Sequence, residues 1–530
     1  MKVDNIPIEQ VKQFSRRDCS YYLNPELFKD FVSSIPSLSA FPDLIKAKSK
    51  HSVDRALLHQ VVSSQYSQCI NSAKTKKNIA LLGQDNTYTV TTAHQPSLLT
   101  GPLYYVYKIL STINLAQELS ETYTDVNIVP VFIVGSEDHD FEEINHLSLF
   151  GKNITWQNNG IGSVGHFSTD GLKEVIEESI EILGPNSKAQ SLLADISDIL
   201  SQSSNYQDFA FKLTHRLFDH LGLVIVVMDN PSLKKAFSSI ITEEILEGPS
   251  QQLVQKTQVD ISSSLNFQPQ AHARPINFFY TEAHGRNRII LEAGNFTINN
   301  TNLSFTKSEM ISEINNHPER FSPNVVMRPL YQETILPNLA YIGGGGELAY
   351  WTERKTQFEH FGVPMPMLIR RRSAMILTSG DLKSMSKLDI TLQDVFIEKK
   401  TLIERMIQSD DHPDYLLDEE REALEKIFET VENKVAKLDG SLKQSVGSEK
   451  TKLKKSLDYL ENKMKKALKQ KESININRLD KLQAKLFPNG LQERHDNILQ
   501  YISQYGEEII EDMLPHCNPL EKTFKVFTMS

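Results

Sequence analysis

A dense block of ionisable side chains is the strongest indication of chemistry in the sequence. From Gly135 to His146 the chain reads GSEDHDFEEINH, directly after an apolar run. Carboxylates crowded into one short loop repel one another, which raises their pKa values unless a cation or a hydrogen-bond donor compensates. We therefore predict a site here, with Asp138 binding substrate or nucleotide and three catalytic residues: Glu137, His139 and Asp140.

Two other interpretations of this block stay open. Acidic residues are also typical of a helix N-terminus, where the helix dipole favours negative charge and His139 would act as the cap. A metal site is the second alternative, because the block carries four competent ligands: Glu137, His139, Asp140 and His146. The chain has no recognised zinc spacing such as H-E-x-x-H, so we predict no metal site.

A second group of polar residues follows Tyr88–Thr92, a β-branched and aromatic run that predicts a strand. The turn reads TAHQPSLLTGP and leads into an apolar series at helical spacing that begins at Leu103. We expect the Thr100 hydroxyl to cap this helix, whose positive end would face a crevice suited to phosphates or carboxylates. The predicted site residues are His94, as a catalytic group, and Gln95, Thr100 and Gly101 as binding groups.

Glycine and arginine residues mark further strand ends. Glycines let the backbone approach a ligand and leave N–H groups free to hold an anion, although a turn without a ligand fits IGGGGELAYW equally well. Arginines at a strand end suit a carboxylate or a phosphate, with surface ion pairing as the alternative. The binding residues predicted at these strand ends are Gly343, Gly344, Gly345, Glu347, Arg370 and Asp229.

These polar groups need a scaffold that brings strand ends together, and the apolar runs of the chain predict one. Val126–Val134 and Leu221–Met228 are almost continuously apolar, as is typical of parallel strands buried on both faces. The carboxyl ends of such strands meet at one sheet edge, where ligands bind at a topological switch point. We predict an α/β fold with a Rossmann-like parallel-sheet core. Its inserted α+β connecting segments lie at about 150–215 and 232–325, with a hairpin tip at His284-Gly285-Arg286.

The character of the sequence changes after the predicted core. Between Asp418 and Leu486, apolar residues recur at heptad-like steps in a Lys/Glu-rich background without proline. Gly440 and Gly447 indicate a reversal, and therefore an antiparallel coiled coil whose apolar seam is available to a second subunit. The predicted domains are a catalytic core at 1–385, a helical coiled-coil domain at 386–490, and a segment at 491–530 that returns to the core and adds an edge strand at 524–527.

Composition limits the classes of function. The 530 residues carry a formal net charge of −10, which argues against extended nucleic-acid binding. The cysteines, Cys19, Cys69 and Cys517, are odd in number and far apart, so we expect no disulfide framework. We find neither an apolar run long enough to span a membrane nor a signal-peptide pattern, and we expect a cytoplasmic protein with no membrane partner.

Four stretches of the chain, taken together, resemble one known family. TAHQPSLLTGPLY, VPVFIVGSEDHDFEEINH, ILPNLAYIGGGGELAYW and LFPNGLQER, with the late coiled coil, are similar to the cysteine-adding ligases of bacillithiol biosynthesis, the BshC family. The resemblance covers nearly the whole chain. It implies a Rossmann-type core, dimerisation through the coiled coil, nucleotide binding near the coil, and addition of L-cysteine to glucosaminyl-malate. The matching site positions are His94, Gln95, Thr100, Gly101, Glu137, Asp138, His139, Asp140 and the glycine turn with Glu347.

The implied reaction requires an activated carboxylate, because the carboxylate oxygen of cysteine is a poor leaving group and the amine is largely protonated at neutral pH. ATP or another nucleotide is the expected activator, with magnesium only as its companion. We hypothesise that His94 and the helix start at Thr100–Pro102 stabilise the transferring phosphate. In the same hypothesis Glu137 or Asp140 deprotonates the amine, and Arg370 holds a malyl carboxylate.

Two functions from other classes are the alternatives. A metal-dependent hydrolase or deacetylase would use the acidic and histidine block at 137–146. A non-catalytic coiled-coil scaffold would need only the C-terminal third of the chain. A further stretch, Ser384-Met385-Ser386-Lys387, is similar to the mobile lysine loop of class I adenylating enzymes, but we favour a helix that a serine caps and Lys387 closes.

Overall fold

The computed structural model describes residues 1–282, 285–408 and 415–529. The chain divides into two compact units, one formed by Met1–Ile376 with Gly490–Met529 and the other by Leu377–Asn489. Among the described residues, no helix combines the length and the apolar character that a membrane crossing requires. His284 of the predicted hairpin tip lies outside the described residues, while Phe278–Glu282 and Gly285–Glu292 pair as the two antiparallel strands of that hairpin.

The strands of the described residues belong to several sheets. In chain order they are β1 (Lys2–Pro7), β2 (Thr87–His94), β3 (Asn127–Val134), β4 (His146–Leu149), β5 (Lys152–Thr155), β6 (Val224–Val227), β7 (Phe278–Glu282), β8 (Gly285–Glu292), β9 (Asn295–Ile298), β10 (Ser304–Phe305), β11 (Phe321–Pro323), β12 (Asn338–Gly343), β13 (Met367–Arg370), β14 (Ala374–Leu377) and β15 (Thr523–Thr528).

The α-helices run between and around these strands. Those of the first unit are α1 (Arg16–Leu23), α2 (Phe41–Lys48), α3 (Arg55–Gln65), α4 (Ala73–Leu81), α5 (Leu103–Thr122), α6 (Phe141–Ile144), α7 (Leu172–Leu183), α8 (Gln190–Ser201), α9 (Tyr206–Phe218), α10 (Pro231–Ala236), α11 (Ser238–Glu247), α12 (Pro249–Leu265), α13 (Lys307–Asn316), α14 (Arg328–Ile335), α15 (Gly345–Trp351) and α16 (Lys355–His360). Those that follow are α17 (Ser379–Leu388), α18 (Lys399–Ile407), α19 (Asp418–Leu438), α20 (Lys443–Lys471), α21 (Ser473–Leu486), α22 (Ile498–Tyr505) and α23 (Ile509–Met513).

The central sheet of the first unit has the strand order β13-β12-β2-β3-β6. Every neighbouring pair is parallel, and the predicted Rossmann-like parallel-sheet core is therefore confirmed. The chain runs outward from β2 in one direction through β3 and β6, then returns to the other side of β2 with β12. The switch point thus lies between β2 and β12.

The register of this sheet decides which polar groups meet at its carboxyl edge. His94 pairs with Val134, Val134 with Val227, and Gly343 with Arg370, so the strands end at similar levels. The side chains of β3 are buried from Ile128 to Val134, as the apolar run predicts for a strand covered on both faces. The residues that follow these strands therefore surround one crevice.

Two of the connections between the parallel strands carry insertions of mixed structure. The hairpin β4–β5 and helices α7 and α8 lie between β3 and β6. An antiparallel sheet of order β10-β9-β8-β7-β11, with helices α10 to α13, lies between β6 and β12. These elements agree with the predicted α+β connecting segments.

The C-terminal strand does not lie at a sheet edge, and the prediction of an edge strand there is wrong. In the sheet of order β1-β15-β14, β15 is the middle strand and pairs antiparallel with β1. Phe524, Val526 and Phe527 are buried as a result, and even Lys525 retains little exposure. The N-terminal strand, which the sequence pattern did not indicate, covers the side that would otherwise be free.

The second unit contains the predicted antiparallel coiled coil, formed by α19 and α20. Arg421 of α19 pairs with Asp458 and Glu461, whereas Glu425, one turn later, pairs with Lys450 and Lys454. The later residue of α19 thus meets the earlier part of α20, which defines antiparallel helices. The reversal occurs at Asp439–Leu442, close to the predicted position.

The stretch from Ser384 to Lys387 lies inside helix α17 of this unit. Thr378 caps that helix in a reciprocal arrangement with Asp381, so neither serine is the cap. Lys387 lies in the last turn. The helix is therefore closed by Lys387 as predicted, but a threonine begins it.

Candidate functional site

His94 lies at the end of β2, beside the switch point of the sheet. Its Nδ1 atom is 2.9 Å from the carbonyl oxygen of Gln95, which can only accept, so Nδ1 carries the proton. Its Nε2 atom is 3.3 Å from the hydroxyl of Tyr104. Burial, and next the positive charge of Lys108, lower the pKa of His94 to about 4. The imidazole is therefore neutral at pH 7 and offers the Nε2 lone pair as an acceptor.

An ion pair between the buried Lys108 and the partly exposed Glu347 lies behind His94 and joins α5 to the glycine turn. Lys108 donates to a Glu347 carboxylate oxygen at 2.7 Å and to the Ala93 carbonyl at 2.5 Å. The Tyr341 hydroxyl donates to the other Glu347 oxygen at 2.9 Å. Burial alone would raise the pKa of Glu347, but the charge and hydrogen bond of Lys108 lower it to about 2. Glu347 is thus a carboxylate throughout the neutral pH range, while burial lowers the pKa of Lys108.

Glu137 and Asp229, which follow β3 and β6, share one buried lysine. Lys234 of α10 lies 2.6 Å from a Glu137 oxygen and 2.7 Å from an Asp229 oxygen. The other Asp229 oxygen is 2.9 Å from Nε2 of the half-exposed His166. Burial raises the pKa of Glu137 in spite of the opposing charge of Lys234, so this carboxylate is a stronger base than an exposed one.

Asp138 connects the acidic block to the His94 turn. The amide nitrogen of Gln95 donates to Asp138 and to Glu143, both at 2.9 Å. Burial opposes ionisation of Asp138, but hydrogen bonds from His139 and the charge of Arg286 hold its pKa well below the usual range. The predicted residues of the first two strand ends are therefore physically linked.

His139 and Asp140 point to different surroundings. Nδ1 of His139 lies 3.0 Å from a guanidinium nitrogen of Arg286. The Asp140 carboxylate accepts from the N–H of Glu143 and caps helix α6. The helix-cap interpretation of the block thus applies to Asp140 and not to His139.

The described residues contain no group of three or more His, Cys, Asp or Glu side chains that would hold a metal ion. Within the acidic block, Glu137 is paired with Lys234 and Asp138 with Gln95. The alternative of a metal-dependent hydrolase therefore has no ligand set in the described residues.

The turn between β2 and α5 is strained, and the expected cap of α5 is wrong. Leu99, Thr100 and Gly101 have φ values of 45°, 71° and 58°. Helix α5 begins at Leu103 after Pro102, and the Thr100 hydroxyl is buried without a hydrogen-bond partner instead of capping it. The N–H of Leu103 donates to the Asp496 carbonyl at 2.8 Å, so the first turn of the helix is already occupied by backbone.

The glycine turn is shaped by close packing. The N–H of Gly344 donates to the Glu347 side chain at 2.8 Å, which uses the group that would have held an anion. A Cβ atom on Gly345 would lie 2.3 Å from the carboxyl carbon of Asp18. Glycine is therefore required at position 345 because helix α1 approaches the turn closely.

Arg370 does not face the crevice. Its guanidinium donates to both oxygens of Asp18, at 2.5 and 3.0 Å, and is buried. The expected contact with a substrate carboxylate is thus replaced by an ion pair that fastens α1 to the end of β13. The neighbouring Arg371 lies over the Tyr104 ring, 5.1 Å from its centroid, and pairs with Glu493.

The structure brings most of the predicted residues to one sheet edge, and it adds groups that sequence reasoning missed. The additions are Lys108, Lys234, Tyr104 and Tyr341. One of them had a signal in the sequence, since Lys108 is the single charged residue between Leu103 and Ala116 of an otherwise apolar helix. A lysine in that position has to find a buried anion.

Comparisons with known proteins give a consistent result. One family model, described as bacillithiol biosynthesis BshC, N-terminal Rossmann-like domain, matches residues 1–372. A second, described as bacillithiol biosynthesis BshC, C-terminal coiled-coil domain, matches residues 374–529.

Three curated relatives illustrate the similarity, and each is named "Putative cysteine ligase BshC". The relative from Flavobacterium johnsoniae is 37% identical over 532 residues, 100% of both chains. That from Flavobacterium psychrophilum is 38% identical over 530 residues, 99% of both chains. That from Bacillus mycoides is 30% identical over 454 residues, 83% of this chain and 84% of the relative.

Proposed function

The chain belongs to the BshC family of bacillithiol biosynthesis, and from that premise we propose that it is a cysteine ligase that joins L-cysteine to the amine of glucosaminyl-malate. One observation of the structure supports this proposal most directly. A neutral imidazole and two buried lysines, each paired with a carboxylate, surround one crevice at the carboxyl edge of a parallel sheet. Such a crevice can hold an amine and a carboxylate side by side.

We assign the amine to the side of the crevice at β2 and β3. The attacking amine must lose a proton, and Glu137 is the proposed acceptor because burial raises its pKa toward neutrality. His94 accepts an N–H of the same amine through Nε2 and orients its lone pair. A neutral His94 carries no charge for a phosphate, so this assignment replaces phosphate stabilisation as its role.

The positive groups beside His94 are suited to the carbonyl that is attacked. Negative charge develops on the carbonyl oxygen of cysteine as the new carbon–nitrogen bond forms. Lys108 and Arg371 place fixed positive charge next to this position, since both act on the His94 imidazole. Glu347 and Glu493 pair with these two cations and hold them in place. Neither side chain therefore has to move as negative charge develops on the carbonyl oxygen.

We propose ATP or another nucleotide as the activator of the cysteine carboxylate. The two turns that the sequence indicates for phosphate do not fit that role. The Gly344 N–H is used by Glu347, and the first turn of α5 is used by the Asp496 carbonyl. The residues at the sheet edge therefore act on the amine and the carboxylates.

The test is bacillithiol formation in a strain that lacks the native gene. His94→Ala and Glu137→Gln should each lower bacillithiol at least about tenfold, because each removes a group that binds or deprotonates the amine. His146→Ala and Glu142→Gln change exposed residues of the same block and serve as matched controls. Wild-type bacillithiol levels in both site variants would contradict the assignment.

The activator is identified by a separate experiment on purified protein. Protein, L-cysteine and glucosaminyl-malate are incubated with each candidate nucleotide, and the thiol product is measured by mass spectrometry together with AMP and ADP. AMP indicates an acyl-adenylate and ADP an acyl-phosphate. Amide formation without any nucleotide would contradict nucleotide activation.

A further inference from the structure

Arg328 begins helix α14 beside the glycine turn, and its guanidinium contacts neutral groups. It donates to the Tyr350 hydroxyl at 3.3 Å and to Gln332 Oε1 at 3.2 Å, and the Tyr341 hydroxyl is 3.5 Å away. Among the described residues, no carboxylate lies within ion-pair distance of it. Part of the residue stays exposed, so a ligand can reach it.

This situation differs from that of the other arginines around the crevice. Arg370 pairs with Asp18, Arg371 with Glu493, and the Arg286 guanidinium lies 3.9 Å from Asp138. Each of those guanidinium groups is neutralised by the protein itself. Arg328 resembles them in position, but no carboxylate of the described residues forms an ion pair with it, and the Glu347 charge acts on it only from a greater distance.

A second guanidinium lies close by with even fewer contacts. Arg354, just before helix α16, is fully buried, and none of its three guanidinium nitrogens has a hydrogen-bond partner. Its charge acts on Tyr350, the same residue that accepts from Arg328. Tyr350 therefore lies within the field of two cations that lack close carboxylate partners.

The charges of this region do not balance. Lys108, Arg328 and Arg354 are positive, and the Glu347 carboxylate beside them pairs with Lys108. The charge of Glu353, next to Arg354 in the chain, acts on Arg354 without a hydrogen bond between them, and the Glu353 carboxylate accepts from Arg17, Gln258 and two backbone N–H groups. Burying unpaired cations costs free energy, which a bound anion offsets.

We propose that Arg328 and the Tyr350 hydroxyl bind a carboxylate of the substrate, with Arg354 as a positioning residue whose charge strengthens that binding. The proposal rests on the proposed function, in which cysteine carries one carboxylate and the malyl group two. A planar guanidinium matches a carboxylate in two parallel hydrogen bonds. The same guanidinium geometry also suits a phosphate, so binding of ATP is measured beside that of the carboxylate ligands.

The site is tested by calorimetric titration of the full-length protein. Four ligands are compared: glucosaminyl-malate, L-cysteine, methyl glucosaminide, which has the amine without a carboxylate, and ATP. Arg328→Gln should weaken binding of glucosaminyl-malate, of cysteine, or of both by about 10- to 100-fold, and which ligand responds identifies the carboxylate. Binding of methyl glucosaminide should be unchanged.

Arg288→Gln, which changes an exposed arginine of β8, is the matched control and should bind all four ligands as the wild type does. Unchanged affinity of Arg328→Gln for both carboxylate ligands, or weakened binding of ATP alone, would overturn the proposal. Because binding is measured without turnover, a wild-type protein that binds glucosaminyl-malate but forms no amide would contradict the proposed function and leave this site standing.

If Arg328→Gln does not fold, Arg354→Met provides a second test of the site. Replacing an unpaired buried cation by an apolar side chain should raise the unfolding temperature of the free protein and lower its affinity for the responding carboxylate severalfold. A merely structural arginine would give the reverse, namely a lower unfolding temperature with unchanged affinity. That result would remove Arg354 from the site.

Discussion

His94 is the residue whose protonation the structure constrains most clearly. An imidazole in an unfolded chain titrates near pH 6.5, whereas burial and Lys108 lower the pKa of His94 to about 4 in the folded protein. The folded state therefore binds fewer protons than the unfolded state between these two values. The stabilisation that the neutral His94 contributes is fully present above about pH 6.5. It is lost as the pH falls from that value to the pKa of about 4 in the folded protein.

This difference predicts a measurable pH dependence. Between pH 7 and pH 4 the free energy of unfolding should fall by up to roughly 3 kcal/mol from this one group. Urea unfolding of the wild type and of His94→Gln at several pH values isolates the contribution of His94, because the carboxyl groups titrate in both proteins. An NMR titration of the imidazole with a midpoint near 6.5 would contradict the prediction.

The glycine turn gives a second prediction at the scale of single residues. Gly345→Ala should lower the free energy of unfolding by about 1–3 kcal/mol, because the new Cβ atom would overlap the Asp18 carboxylate and disturb its pair with Arg370. Gly346→Ala is the matched control, since a Cβ atom there meets nothing within 4 Å and the position lies in helix α15.

Chemical denaturation of both variants shows whether close packing or backbone flexibility requires glycine at position 345. Gly346→Ala should stabilise the protein by about 0.5–1 kcal/mol, because alanine has the higher helix propensity. Equal effects of the two substitutions would show that close approach of α1 is not the constraint.

At the scale of elements, the turn between β2 and α5 depends on a residue from the end of the chain. The Asn497 amide donates to the carbonyls of Leu99 and Gly101 at 2.8 and 2.7 Å, and the residue is fully buried. These bonds hold a segment of positive φ that L-residues adopt at a cost. A distant side chain thus fixes the loop that follows His94.

Asn497→Ala should therefore lower the free energy of unfolding by about 2 kcal/mol or more, because two buried carbonyls lose their donor. Bacillithiol formation should fall as well, since the His94 loop loses its support. Asn315→Ala, at an exposed position of α13, is the control and should change neither quantity. Unaltered stability of Asn497→Ala would show that the turn holds its own shape.

At the scale of the whole molecule, the chain leaves the first unit and returns to it at two positions that lie next to each other. The Ile376 N–H donates to the Gln492 side chain at 2.8 Å, and the Gln492 amide donates back to the Ile376 carbonyl at 3.0 Å. A short connection can therefore replace the residues between these positions. The first unit has its own extensive hydrophobic core.

Excision of residues 378–489 with a short Gly/Ser linker should leave a folded first unit. We also expect the full chain to be a homodimer and the excised protein a monomer, because α19 and α20 leave apolar side chains such as Ile427, Leu438 and Leu460 exposed. Light scattering after gel filtration measures both masses, and circular dichroism reports the fold. A dimeric excised protein would contradict a coiled-coil interface.

Much of the scaffold followed from the sequence, because periodicity reflects local backbone geometry. The apolar runs around Val129 and Ile225 identified buried parallel strands, the heptad steps identified the coiled coil, and Gly440 and Gly447 identified its antiparallel reversal. The position of His94 and Glu137 at strand ends was predictable for the same reason. The register of a parallel sheet then places strand ends at one edge whatever the intervening insertions contain.

Other features depend on partners that lie far away in the chain. The sequence indicated ligand roles for Arg370 and the glycine turn, whereas tertiary contacts assign Arg370 and Gly345 to Asp18, from the first helix. β15 is central rather than peripheral because β1, from the opposite terminus, covers its free side.

The α/β core, the coiled coil and the strand ends that carry chemistry follow from the order of the amino acids. The pairing of charges follows from the folded chain: Lys108 pairs with Glu347, Lys234 pairs with Glu137, and no carboxylate of the described residues pairs with Arg328. The physical reason is that secondary structure follows from neighbours in the chain. The partner and the pKa of a buried ion follow from residues that only folding brings together.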